Sequence, residues 1–169
     1  MDFITLFLAE LDHEVARSRR MLEQIPDGKA DWKPHDRSMA FGYLANMVAT
    51  IPTWLTMIVQ QDELDIAPKD GGKRDWPSPS TSAEYVAALD TSADEAKKVL
   101  RATNEAHLQT HWHLLAGGVV VSDTPRHVML RDTLNHWVHH RGQMTVYLRL
   151  MGAKVPALYG PSADDTSFG

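Results

Sequence analysis

The 169-residue chain contains no cysteine. Disulfides, thiolate metal sites and a cysteine nucleophile are therefore all excluded. It also lacks a long hydrophobic run; no stretch approaches the roughly 18 apolar residues of a membrane span. Basic residues are in the minority, with 17 Lys and Arg against 22 Asp and Glu and a net charge of −5. With no basic stripe either, neither nucleic acid nor an anionic membrane is expected as a partner. The opening stretch MDFITLFLAELDHEVARSRR carries Asp2, Glu10 and Asp12 and no basic leader or cleavage site. It reads as a structural helix rather than a signal peptide, and the expected location is cytoplasmic. No phosphate loop, serine elbow or glycosidase-like carboxylate pair is present.

What is present is ordinary globular composition, 43% hydrophobic and 23% charged, in a length that suits one domain over residues 1–169 with a real core. Four segments carry helical periodicity. The first, about 2–25, repeats Ile4, Leu8, Leu11, Val15, Ser18, Leu22 and Ile25, and Pro26-Asp27-Gly28 stops it. The second, about 38–61, starts at Ser38 as N-cap and carries Pro52 inside it, so a kink is expected there. The third, about 83–105, is capped near Thr81 or Ser82, and the fourth runs about 125–151, ending before Gly152. The stretch DELDIAPKDGGKRDWPSPST, residues 62–81, shows no periodicity and reads as a long loop of the kind found over functional sites. Two short apolar runs around Gly117-Gly118 predict a β-hairpin at about 109–122. Residues 152–169 form a tail rich in turn formers. The pattern predicts an all-α four-helix bundle with the hairpin as an appendage between the third and fourth helices.

The fourth helix carries the chemistry. At about 100° per residue, Asp132, His136, His139, His140, Gln143 and Tyr147 fall within about 60° of one direction. Leu130, Leu134, Trp137, Val138, Val146 and Leu148 point elsewhere, so the helix is apolar nearly all round and burial all round is expected. A buried imidazole needs a hydrogen-bond partner or a metal. The i, i+4 spacing lets His136 and His140 meet one ion, and Asp132 is placed to fix the tautomer of His136. A hydrogen-bonded histidine cluster between helices explains the same pattern. A catalytic zinc site takes three protein ligands, and this helix offers two. His13 reads as solvated and His35 as a loop residue able to fold over the site. His107, His111 and His113 lie at the third helix end and on the hairpin, and Glu14 beside the first helix's core stripe. Arg141 reads as a helix-surface or interface residue, and Gly142 as a place for close packing. Gln143, Tyr147 and His139 are pocket candidates, while Trp32, Trp54, Trp76, Trp112 and Trp137 read as packing residues.

The string LNHWVHHRGQMTVYLRLMGAKVPALYGPSADD, with IPDGKADWKPHDRSMAFGYLANMVATIP upstream, closely resembles the DinB-like superfamily over nearly the whole chain. The resemblance implies an up-up-down-down four-helix bundle, often a homodimer. It also implies a divalent metal, zinc or nickel, held by one histidine on the second helix and an HxxxH pair on the fourth. Characterised relatives include transferases and isomerases that use low-molecular-weight thiols such as bacillithiol, mycothiol and glutathione. Carried onto this chain, the pair is His136 and His140, but the second-helix position is Met47, and no histidine lies between His35 and His107. A thioether suits Cu(I) better than Zn²⁺ or Ni²⁺, so metal is expected to bind weakly or not at all.

Two functions follow as expectations. One is a DinB-like protein with an incomplete histidine site that binds a small molecule or serves a stress-related role. The alternative is a metal-dependent transferase or hydrolase acting with a low-molecular-weight thiol or water. Replacing Met47 by histidine separates them.

Overall fold

The structure is a computed structural model that describes residues 2–69, 71 and 79–167. Among the described residues, six helices and three strands follow in the order α1 (Phe3–Leu22), α2 (Phe41–Thr50), α3 (Pro52–Gln60), β1 (Glu63–Asp65), α4 (Ser82–Ala102), α5 (Glu105–Gln109), β2 (His111–Ala116), β3 (Val119–Pro125) and α6 (Arg126–Leu150). Asp2 caps α1 by accepting the Thr5 N–H. Thr81 and Glu84 form a reciprocal capping box on α4, satisfying two of the amides that a helix start leaves free. Ser38 is not the cap of the second segment. The helix begins three residues later, with Ala40 in the N-cap position and no side-chain cap.

Pro52 divides that segment into α2 and α3, whose axes differ by 49°. Proline has no N–H to give the preceding turn and its ring crowds the carbonyl four residues back, so the helix breaks where it stands. It then serves as the first residue of α3. No single helix among the described residues is long and apolar enough to cross a membrane.

The bundle core lies between α1, the bent α2–α3 pair, α4 and α6, which pack on one another. Leu11, Met21, Leu22, Leu44, Val48, Leu89, Leu100, Leu130, Trp137 and Leu148 are buried in it. The helices α2 and α6 run antiparallel. The Trp137 indole donates to the Val48 carbonyl at 2.7 Å and the Tyr147 hydroxyl to the Met39 carbonyl at 3.2 Å, so numbers fall on one helix as they rise on the other. Burial is not all round on α6, however. Val146 and Leu150 face outward, 57% and 60% exposed.

The hairpin is β2–β3, and a third strand joins it. The segment expected to be wholly loop contributes β1, which pairs parallel to β2 through Glu63–His113, Leu64–Leu114 and Asp65–Leu115. The order is β1-β2-β3. Gly117 and Gly118 take φ of +62° and +79°, left-handed values that a side chain would resist. The Asp65 carboxylate accepts both of their amides, at 3.0 and 2.7 Å, tying β1 to the hairpin turn. Trp76 and its neighbours in that loop lie outside the described residues.

Candidate functional site: a histidine pair beside an apolar cleft

The strand period of two sorts the sheet's side chains. Trp112, Leu114 and Leu64 face the helices, while His111 and His113 face outward. There His111 Nδ1 lies 2.5 Å from Asp123 Oδ1, and His113 Nε2 lies 3.6 Å from the same oxygen. The inner face forms one wall of a partly open cleft of about 120 Å³. Trp54 and Ile58 of α3 and Met129, Asp132, Thr133 and His136 of α6 complete the lining. The bend at Pro52 brings the Trp54 ring edge-on to His136, with centroids 5.6 Å apart.

His136 and His140 do converge. Their Nε2 atoms are 2.5 Å apart and their rings 4.5 Å between centroids. The other nitrogen of His140, Nδ1, lies 3.0 Å from the Gln143 side-chain oxygen. A carbonyl oxygen only accepts, so Nδ1 carries the proton and Nε2 of a neutral His140 is bare. His136 then donates its own Nε2–H to that lone pair. Burial pushes the His136 pKa down, and the nearby imidazoles His140 and His139 push it further. Burial does the same to His140; the Gln143 bond opposes this and His139 adds to it. Both environments thus favour the neutral ring.

The remaining expected site residues are dispersed. Asp132 lines the cleft mouth, but its carboxylate takes Arg131 at 2.9 Å, and no hydrogen bond joins it to His136 among the described residues. His139 is exposed, its ring edge-on to His140 at 5.2 Å. Tyr147 is buried away from the cleft against Trp32 and Phe41. Met47 is half-buried against the core. It adjoins Val48, the acceptor of Trp137, which places it level with the histidine pair along α2. His107 is held by the Val59 carbonyl at 2.8 Å, and His13 and His35 are exposed.

These donors do not fit a three-histidine metal centre. No group of three His, Asp or Glu side chains among the described residues is arranged to hold an ion. Met47 offers only a thioether. Two imidazole nitrogens on one tetrahedral zinc stand about 3.3 Å apart, so the pair at 2.5 Å would have to open to chelate.

Arg141 and Glu14 correct the sequence reading. Arg141 is 1% exposed and pairs with the Glu14 carboxylate; it also donates to Ser18 Oγ at 3.0 Å and to the Tyr159 hydroxyl at 2.5 Å. Glu14, considered as a donor for the histidine site, is committed to this pair and to Arg17. Burial pushes the Glu14 carboxyl up, but the bond and charge of Arg141, with bonds from Tyr159 and Arg17, outweigh it and hold the pKa below the ordinary value. Gly142 is also corrected. A Cβ there would meet nothing within 4 Å, so close packing within the chain does not require it.

Two features of consequence escape a sequence reading: the role of Arg126, and the unmatched N–H of Trp112, a residue that reads only as packing. Arg126, 2% exposed, donates to the Ile58, Gln61 and His111 carbonyls and to Thr110 and Asp62. It thereby locks the free carbonyls at the end of α3 to the start of β2, fixing two walls of the cleft. Its signal was only its place as the first residue of a helix following proline. Trp112 is 2% exposed, and its indole N–H has no partner among the described residues. Leaving such a donor buried and unmatched costs about 1–3 kcal/mol.

Comparison with known proteins agrees with this architecture. The model of the DinB family matches residues 1–167. A Bacillus subtilis (strain 168) protein named uncharacterized protein YrdA is 28% identical over 165 residues, covering 94% of this chain and 89% of its own. Three solved structures share the fold. A DinB-like protein from Bacillus cereus ATCC 10987 has a TM-score of 0.68 at 23% identity, over 90% of this chain and 95% of its own. A DinB-like protein from Bacillus subtilis gives 0.66 at 15%, over 89% and 94%. A family member from Exiguobacterium sibiricum 255-15 gives 0.66 at 20%, over 90% and 93%.

Proposed function

From the premise that this chain belongs to the DinB family, we propose that it is a small-molecule-binding member whose histidine pair works without a resident metal. The observation that carries this reading is the placement of His136, with Asp132 and Thr133, on the polar side of a mainly apolar cleft between α3, α6 and the sheet. Pockets of this make-up, mostly apolar with a few placed polar groups, are the usual form of small-ligand sites. His136 and His140 satisfy each other, and Gln143 sets their tautomer. With both ring N–H groups committed, what the pair leaves to a ligand is the bare Nδ1 of His136, an acceptor.

A second reading is favoured by one specific observation, the convergence of two Nε2 atoms on α6. On that reading the protein is a divalent-metal-dependent transferase or hydrolase acting with a low-molecular-weight thiol or water. The donor set argues against it, because it stops at two nitrogens and a thioether.

Zinc and nickel titration of the untagged protein and of Met47→His separates the two. The wild type is expected to show no thermal shift with either ion. Met47→His is expected to gain about 2.7 kcal/mol of stability at a metal concentration about 100 times its Kd. Tight stoichiometric zinc on the wild type would overturn the metal-free reading and leave the second one standing.

A further inference from the structure

The polar side of the cleft has a sign. Its walls are apolar, with Trp54, Leu64, Trp112 and Met129 among them, and its polar groups come from one stretch of α6. His136 spends its Nε2–H on His140, so its Nδ1 only accepts. Asp132, one turn earlier on the same face, is a carboxylate and also only accepts. The Thr133 hydroxyl can give or take a hydrogen bond, so it selects neither kind of ligand. Among the described residues, Asp132 is the one Asp, Glu, Lys or Arg in the lining. Its neighbour Arg131 lines a different groove, on the α1 side of α6. Arg131 does touch the carboxylate, but on one oxygen. Both contacts, at 2.9 and 3.4 Å, go to Oδ1, and Oδ2 accepts no hydrogen bond among the described residues. The two side chains are 65% and 50% exposed, and an ion pair so open to water is held weakly. The cleft therefore keeps a negative charge at its mouth beside apolar walls. A group that only donates and carries positive charge, an ammonium, complements both features. At about 120 Å³ the cleft is slightly smaller than the cavity of about 150 Å³ known to take benzene. Its apolar part therefore suits one ring or a short branched chain.

We propose that the cleft takes a small organic cation, a primary ammonium on a single ring or short hydrocarbon group, with the ammonium on Asp132 and the hydrocarbon against the apolar walls. This rests on the reading of the cleft as a ligand site and adds the ligand's chemical class. Asp132 selects the charge, and Nδ1 of His136 offers a second acceptor one turn along α6.

Benzylamine and benzyl alcohol test this at pH 7. The two have nearly the same shape, but only the amine is a cation there. Binding is measured on the full chain by two-dimensional amide and indole NMR at low salt. Benzylamine is expected to bind about fivefold tighter than benzyl alcohol, the scale of a partly exposed ion pair. The preference is expected to shrink when salt is raised to about 0.5 M. Asp132→Asn, at a half-exposed position outside the core, is expected to bring the ratio to about one while benzyl alcohol binds as before. Met129→Trp, which fills the cleft, is expected to abolish binding of both probes. A ratio near one in the wild type, or one that Asp132→Asn leaves unchanged, would overturn the cation assignment while the cleft remains a ligand site. Failure of both probes to bind at millimolar concentration, or binding that survives Met129→Trp, would overturn the cleft reading itself. Should Met129→Trp fail to fold, the wild-type spectra decide: bound benzylamine that leaves the Trp54 and Trp112 indole signals in place overturns the proposal.

Discussion

Glu14 and Arg141 join α1 to α6 through a buried ion pair, with Ser18 and Tyr159 satisfying what the two charges leave over. Removing one partner from such a pair strands the other charge, which typically costs 3–5 kcal/mol, whereas replacing both by apolar groups of similar volume is often neutral. Glu14→Leu is expected to lose about 3 kcal/mol in urea unfolding, and Glu14→Leu with Arg141→Met to recover most of it. The histidine pair and Glu14 also set a two-stage acid response. Their folded pKa values lie below the ordinary values of 6.5 for each histidine and 4.5 for Glu14. The unfolded chain therefore binds the proton first, and stability is present above each of those values and lost as pH falls through the folded pKa. Urea midpoints are expected to begin falling just below pH 6.5 and to fall again below about 4.5. His136→Gln with His140→Gln should erase the first stage and leave the second. A first stage that persists in that variant would show that other groups carry it.

Among the elements, α6 carries a glycine that its packing does not explain. Gly142 is exposed, its Cβ position is open, and alanine is about 1 kcal/mol better inside a helix. Gly142→Ala is expected to raise the Tm by about 2–4 °C, read by circular dichroism. A lower Tm would mean that a second chain packs over Gly142, Val146 and Leu150. The bend between α2 and α3 has the opposite character, since it has a clear structural purpose. It directs Trp54 toward His136, and Arg126 then holds the end of α3 in place. Replacing Arg126 by methionine would free the Ile58 and Gln61 carbonyls without a donor, and it is expected to weaken ligand binding together with stability.

Across the whole molecule, the long helices were legible because their apolar residues recur at three and four positions and two of their ends carry Thr81 and Gly152, whereas the five-residue α5 is too short to show a period. The break at Pro52 was legible because proline's geometry is local. The strand β1 was not legible. Three residues carry too little alternation, and their partners on β2 lie fifty positions away. The histidine pair could be read from helix geometry alone. The burial of Arg141 could not, since its counter-charge is 127 residues distant. Even so, an acid beside the apolar stripe of α1 already implied a buried cation somewhere. The cleft depends on long-range placement of Trp112 and Leu64 against α3 and α6, and no local pattern announces it.

His140 and Arg141 are consecutive, so they leave the axis of α6 about 100° apart. One side chain turns to the imidazole of His136 and the other is clasped by the carboxylate on α1. That clasp, with the Trp137 indole on the Val48 carbonyl of α2, keys the rod against two neighbours. A twist of α6 would undo both fittings at once, which leaves the imidazoles with a fixed bearing.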